Sequence, residues 1–390
     1  MDNCNLVWYN SVDIFVNPSR FRWIEDQYKE YPGFDNMCFL NTFFASNLSL
    51  TDRTNSIKYG IKTNVYPSLE LPKFEKKDLN FEQLCNQRAR DLLDRAIRSN
   101  RKLAVMFSGG IDSTLIIVSL FKIATDLELK KYVTVLLSPI SITENPNIFY
   151  NYILKKCEVE SSFDFDIFQG HKNYIVVNGE SGDQLFGSAV IKNILDNYGI
   201  DFIFSHPTKD KINLLFDKQL KLSSKRGGSL ERRNVNLETI INALDKIIMS
   251  APFEIKTIYH YFWWINFTQK WQSVYLRSVA FTNKKNHNSI NPEDNYFNFF
   301  NTEKMQLWCL NNTDKLIKDE WKTYKYVMKD IIYDFDKNKE YRDNKVKRGS
   351  LIRIVVNKPL GRGLSLENNK LNFHINNLPE NIWNYNNDFI

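Results

Sequence analysis

The stretch Lys102-Leu103-Ala104-Val105-Met106-Phe107-Ser108-Gly109-Gly110-Ile111-Asp112-Ser113-Thr114-Leu115-Ile116-Ile117-Val118-Ser119-Leu120-Phe121 changes character twice. Its first six residues are a short apolar run of the kind that forms a parallel strand buried on both faces. Two glycines follow, where the backbone can turn sharply and bring its N–H groups close to an anion. The residues from about Asp112 to Phe121 then read as an apolar helix, whose N-terminus adds a partial positive charge at the turn. Strand, Ser-Gly-Gly-x-Asp-Ser turn and helix in succession read as a phosphate-gripping loop. The terminal Gly-Lys-Ser/Thr of a Walker A loop is missing.

The flanking sequence extends this unit. Upstream, Leu84, Cys85, Ala89, Leu92, Leu93 and Ala96 recur at helical spacing after a candidate N-cap, Asn80. Downstream come a strand over Tyr132–Leu137, helical residues around Ile148 to Lys156, and a strand over Tyr174–Asn178. Strands alternating with helices predict an α/β fold with a doubly wound parallel sheet. From about residue 210 the pattern turns helical, over Leu237–Ile248, Phe253–Trp271 and Lys318–Ile332, which predicts a largely helical C-terminal lobe. Residues 1–75, with apolar stretches around Trp8, Phe15 and Met37–Leu40, read as a small β-containing N-terminal region. Pro67, Pro72 and the charged residues after them mark a boundary near 75/76. Residues 76–365 then form the main domain, and 366–390 an Asn-rich tail.

Composition narrows the class. The 390 residues are 43% hydrophobic and 25% charged, enough to bury a substantial core. A net charge of +7 suits a polyanionic partner, a nucleotide or nucleic acid among them, although no Lys/Arg run resembles a nucleic-acid-binding arm. Five scattered cysteines, none in a C-x-x-C pair, indicate neither a zinc site nor a disulfide framework. No apolar run approaches the ~20 residues that cross a bilayer, and Met1-Asp2-Asn3 does not open a signal peptide. The expectation is a reduced, cytoplasmic protein without a membrane partner.

The loop residues Ser108, Gly109, Gly110, Asp112 and Ser113 resemble those of the N-type ATP pyrophosphatases, the PP-loop (adenine nucleotide alpha hydrolase-like) superfamily of asparagine, GMP and NAD synthetases. The resemblance implies that ATP binds here and is split between its α and β phosphates. A second stretch, Asn178-Gly179-Glu180-Ser181-Gly182-Asp183-Gln184-Leu185-Phe186-Gly187, is similar to the asparagine synthetase motif Ser-Gly-Glu-Gly-Ala-Asp-Glu-Leu-Phe-Gly-Gly, with Ser181, Gln184 and Ser188 as departures. By that likeness Gly179 belongs to the ATP site, Asp112 and Asp183 hold one Mg²⁺, and Glu180 takes a proton from the attacking ammonia. Ser138, after the second strand, falls where the family meets adenine. In the basic stretch Tyr341–Ser350, Lys345 or Lys347 answers to the family lysine that stabilises charge on the α-phosphate.

Asparagine synthetases carry an N-terminal glutaminase with a catalytic cysteine directly after the initiator Met. Asp2 stands there, and about a hundred residues precede Ser108, so an in-chain glutaminase is not expected. The implied activity is formation of an amide through an acyl-adenylate, with ATP, a small carboxylate or peptide, and ammonia or an amine supplied from elsewhere, including by a separate protein. Two other readings stay open: a tRNA- or nucleobase-modifying enzyme on the same scaffold, and a non-catalytic module that binds ATP or AMP. The run Tyr296–Asn301 and the aromatics Phe262, Trp263, Trp264, Phe267 and Trp271 read as core, the latter as a helix packed on the sheet.

Overall fold

A computed structural model of the chain describes residues 33–46, 50–57, 69–162, 173–225, 234–275, 292–346, 364–367 and 370–373. The chain divides into two compact units. Unit 1 comprises Met1–Lys77, Asp183–Lys284 and Cys309–Thr313; unit 2 comprises Asp78–Gly182, Lys285–Trp308 and Asp314–Ile390. The segment 183–284, read along the sequence as part of the main domain, thus groups with the N-terminal residues. No helix among the described residues is long and apolar enough to cross a membrane.

Unit 2 is α/β, built on five parallel strands: β1 (Lys102–Met106), β2 (Val133–Leu137), β3 (Glu158–Ser161), β4 (Tyr174–Asn178) and β5 (Tyr296–Asn298), in the order β3-β2-β1-β4-β5. The chain steps outward on one side from β1 to β3, then returns to the other side of β1 for β4 and β5. The strand order therefore reverses between β1 and β4, which pair in register from Lys102↔Tyr174 to Val105↔Val177. Ala104, Leu136, Val176 and Tyr296, one from each of four neighbouring strands, form a cluster across the sheet.

Three helices hold the loop after β1 in place. In α1 (Phe81–Arg98) the Asn80 side chain accepts from the Gln83 N–H at 3.0 Å, and Cys85, Ala89, Leu92, Leu93 and Ala96 are buried. α1 packs on α2 (Ile111–Ile123). The residues Ile111, Leu115, Ile116, Ile117, Val118 and Leu120 of α2 are all buried, as befits a helix apolar all round. Each such side chain contributes about 1.5–3 kcal/mol on burial, which fixes the N-terminus of α2 at the end of β1. Beyond β2, α3 (Pro139–Glu144) begins at Ser138. Further along, α4 (Tyr326–Asp336) packs on α2 and α5 (Lys339–Asn344) packs on α4. A two-stranded antiparallel pair, β6 (Leu364–Glu367) with β7 (Lys370–Phe373), crosses the boundary placed at 365/366 in the sequence reading.

Unit 1 has no strand among its described residues. The N-terminal region read from the sequence as β-containing holds no strand where described; it carries the helix Phe34–Phe43, started by Gly33 at φ 84°, and irregular chain over 50–57 and 70–75. The stretches around Trp8 and Phe15 lie outside the described residues. Tertiary contact overrides the modest helix propensity of this Asn- and Phe-rich stretch: Phe39 and Phe43 stand edge-on to Phe216, at 5.9 and 4.7 Å between ring centroids. The helix Ile258–Gln269 is buried from Ile258 onward except at His260. Its Trp263 Nε1 donates to the Leu185 carbonyl at 3.0 Å, and Asn266 Nδ2 donates to the Gly187 carbonyl at 2.7 Å. The aromatic run is core as expected, but it belongs to unit 1 and not to the sheet-bearing unit.

Candidate functional site

Ligands bind open parallel sheets at the carboxyl ends of the strands where the strand order reverses. In unit 2 that position is the end of β1 and β4, where the two sequence motifs meet. Gly109 adopts φ 73°, a left-handed backbone that favours glycine. A Cβ added there would stand 2.3 Å from the Ser141 carbonyl oxygen and 2.5 Å from Cβ of Glu144. The loop is thus pressed against α3. Ser113 Oγ accepts from the Ser108 N–H at 3.1 Å, lies 3.0 Å from Ser108 Oγ and donates to the Gly110 carbonyl at 3.2 Å. These bonds close the turn over the start of α2. Tyr341, on α5, donates its buried hydroxyl to the Gly109 carbonyl at 3.1 Å. Burial pushes this phenol above its usual range, so it remains a donor.

The second motif packs on the first. A Cβ at Gly179 would lie 2.9 Å from Cβ of Asp112, and one at Gly182 would lie 2.2 Å from Asp112 Oδ1. Only glycines leave Asp112 its place. Ser181 between them has φ 70°. A glycine takes this left-handed backbone without strain, whereas a serine does not. The Glu180 N–H is held by Asn178 Oδ1 at 2.9 Å, and Asn178 Nδ2 donates to the Tyr296 hydroxyl at 2.9 Å. Glu180 is part-exposed beside this turn. Asp183 belongs to unit 1, across the division from Asp112.

Asp112 carries a cation already. Both its oxygens accept from the Lys325 ammonium, at 2.5 and 2.6 Å, with the Lys325 side chain fully buried and Asp112 17% exposed. The carboxylate read as a Mg²⁺ ligand is therefore occupied by an internal ammonium. Among the described residues of either unit, no three His, Cys, Asp or Glu side chains come together as a metal site. The residues around Asp112, arranged this way, do not fit a protein-held metal ion. Lys325 has φ 59°, and a non-glycine residue in that region is held there by its surroundings.

A second buried ion pair flanks the same loop: Lys345 with Glu144, the side chains 4% and 6% exposed. Of the two lysines read from the basic stretch, Lys345 therefore lies at the site, and Lys347 is outside the described residues. Ser138 does not present a free edge to a base. Its N–H donates to Ser141 Oγ at 3.2 Å and its hydroxyl accepts from the Ser141 N–H at 3.3 Å, a reciprocal cap on α3.

Lys325 and Glu144 escape the sequence reading. For α4 a signal exists: Lys325, Met328, Lys329 and Ile332 fall at i, i+3, i+4 and i+7, which places lysines on the apolar stripe of the helix. For Glu144 no local pattern distinguishes it from a solvated carboxylate. No protein-family model matches the chain, and no curated protein or solved structure matches it significantly.

Proposed function

We propose that this chain is an ATP-dependent, amide-forming synthetase that adenylates a carboxylate and passes the acyl group to ammonia or an amine. The observation that carries the reading is the juxtaposition in unit 2 of a glycine-turn loop and two buried lysines. Lys325 is held on Asp112 of the loop, and Lys345 on Glu144 directly behind Gly109. A loop of this shape cradles phosphates with backbone N–H groups and a helix N-terminus. Two ammonium groups kept out of water beside it are what transfer of an adenylyl group needs, because charge develops on the phosphates as the bond breaks. The strand order β3-β2-β1-β4-β5 supports reading the sheet as doubly wound, of the adenine nucleotide alpha hydrolase type.

In the proposed reaction an oxygen of the substrate carboxylate attacks the α-phosphorus of ATP. The bond to the oxygen bridging the α- and β-phosphorus breaks, and pyrophosphate leaves with its electron pair. Lys345 and Lys325 trade part of their hold on Glu144 and Asp112 for phosphate oxygens. The amine nitrogen then attacks the acyl carbon, AMP leaves, and the surplus proton of the amine passes to Glu180. No step is assigned to a protein-held Mg²⁺. The test is release of pyrophosphate and AMP by the purified chain with a panel of amino acids and peptides, together with pyrophosphate exchange for the first half-reaction. Release of phosphate and ADP would sink the mechanism.

A further inference from the structure

Lys329 has no part in that chemistry, yet it lies between the two lysines that do. It sits in the first turn of α4, one turn beyond Lys325, and is 2% exposed. Its ammonium donates to the carbonyl of Lys322 and, at 3.2 Å, to the carbonyl of Lys345. Burial draws it down to about 8; Asp343, Asp330 and Glu320 hold it up in part, and Arg342 adds to the lowering.

The two acceptors are informative. Lys322 lies in the short 3₁₀ turn Trp321–Thr323, which leads through Tyr324 into Lys325; Lys345 is the C-cap of α5. Carbonyls at such ends lack a helical partner, and they carry the negative end of the dipole. A four-carbon stem with a multiple donor at its tip reaches both from inside the core. An apolar side chain of the same length would fill the space and take this donor away from both carbonyls.

We infer that Lys329 is a positioning residue, whose buried ammonium ties the backbone carrying Lys325 to the backbone carrying Lys345 and so holds both cations beside the Ser108–Ser113 loop. What the two lysines do there rests on the proposed function; the tie itself does not.

The experiment reads the position of Lys345 without any need for turnover. The full-length wild type, Lys329→Met and Lys329→Arg are labelled with an amine-acetylating reagent under folding conditions, and the rate at each lysine is followed by mass spectrometry. Exposed Lys337 serves as the internal reference. In the wild type Lys345 reacts slowly. In Lys329→Met its rate relative to Lys337 rises about ten-fold or more, as local opening of α5 becomes easier. Lys329→Arg, which also presents several donors, restores the protection. If the methionine variant does not fold, Lys329→Gln, whose side chain is one atom shorter and cannot bridge both carbonyls, is read by the same criterion. Unchanged protection of Lys345 in the folded variant overturns the inference, whether or not the chain proves to be a synthetase. A pyrophosphate-release assay on the same three proteins separates the two ideas further. Lys329→Met is expected to lower kcat far more than it raises KM for ATP, with recovery in Lys329→Arg. Recovery of protection without any ATP chemistry in the wild type leaves the tie standing and removes the proposed function.

Discussion

Glu144→Gln removes a charge and almost no volume, and unit 2 is expected to lose about 3–5 kcal/mol from it. The Lys345 and Glu144 side chains expose only 4% and 6% of their surface. An exposed pair would be worth about 0–1 kcal/mol. At this burial, taking one partner away strands the other charge in a medium that cannot solvate it, a cost of about 3–5 kcal/mol. A ceiling follows from lysine itself: shedding the proton at pH 7 from an ordinary value of about 10.4 takes about 4.6 kcal/mol, and the deficit cannot exceed that. Lys345→Met is expected to cost a similar amount by stranding the carboxylate. The double variant should recover much of the loss, with a coupling of roughly 2–3 kcal/mol. Because two units need not unfold together, the assay is denaturant-dependent hydrogen exchange of the amides in β1 and α2, which report unit 2 alone. If both single variants stay within about 1 kcal/mol of the wild type and the double variant is additive, the pair is not a buried clamp, and the argument that Lys345 is held at the loop fails with it.

Four further outcomes follow from other parts of the site. Gly109→Ala combines a left-handed backbone with a Cβ 2.3 Å from the Ser141 carbonyl oxygen; a loss of roughly 2–4 kcal/mol is expected by thermal denaturation, together with loss of ATP binding. Lys325→Met should depress pyrophosphate formation by about two orders of magnitude or more, the scale of removing a preorganised charge. Equal rates in the two proteins would remove Lys325 from the site. Ser181→Gly relieves φ 70° and is expected to leave stability unchanged or to raise it by at most about 1 kcal/mol, whereas Ser181→Val loses at least that much. Lys329, at about 8 in the folded protein, binds fewer protons there than in the unfolded chain between pH 8 and its ordinary value near 10.4. The penalty is therefore fully present below pH 8, and stability rises with pH across that window, by up to ~3 kcal/mol. Denaturant midpoints measured from pH 7.5 to 10 should show this rise in the wild type and not in Lys329→Met.

Much of unit 2 was legible along the chain, because its strands and helices are local patterns. The runs at β1, β2 and β4 are near-continuous hydrophobics that only a sheet covered on both faces can use. Asn80 announces α1 by its side chain, and the Gly109-Gly110 pair announces a turn by its backbone freedom. Two strands were not readable. β3 is Glu158-Val159-Glu160-Ser161, an edge strand exposed at Glu158 and only half-buried beyond it, whose composition is that of a loop. β5 is three residues long and takes strand geometry only because β4 offers it partners. The helix Phe34–Phe43 likewise owes its form to aromatic packing with Phe216 and Phe262, not to the propensities of its residues.

The sequence alone determined that a glycine turn joins a buried strand to an apolar helix, and that a second glycine-and-carboxylate turn follows another such strand. Both are consequences of backbone conformation and of solvent exclusion over a few residues. Tertiary structure decided that β4 lies beside β1, so that Gly179 and Gly182 close on Asp112. It also decided that the cation on Asp112 is Lys325, 213 positions away along the chain, and that Lys345 is fixed by Glu144. A charge is bound by whichever opposite charge the fold encloses with it, and that choice depends on distance in space, which residue order does not contain.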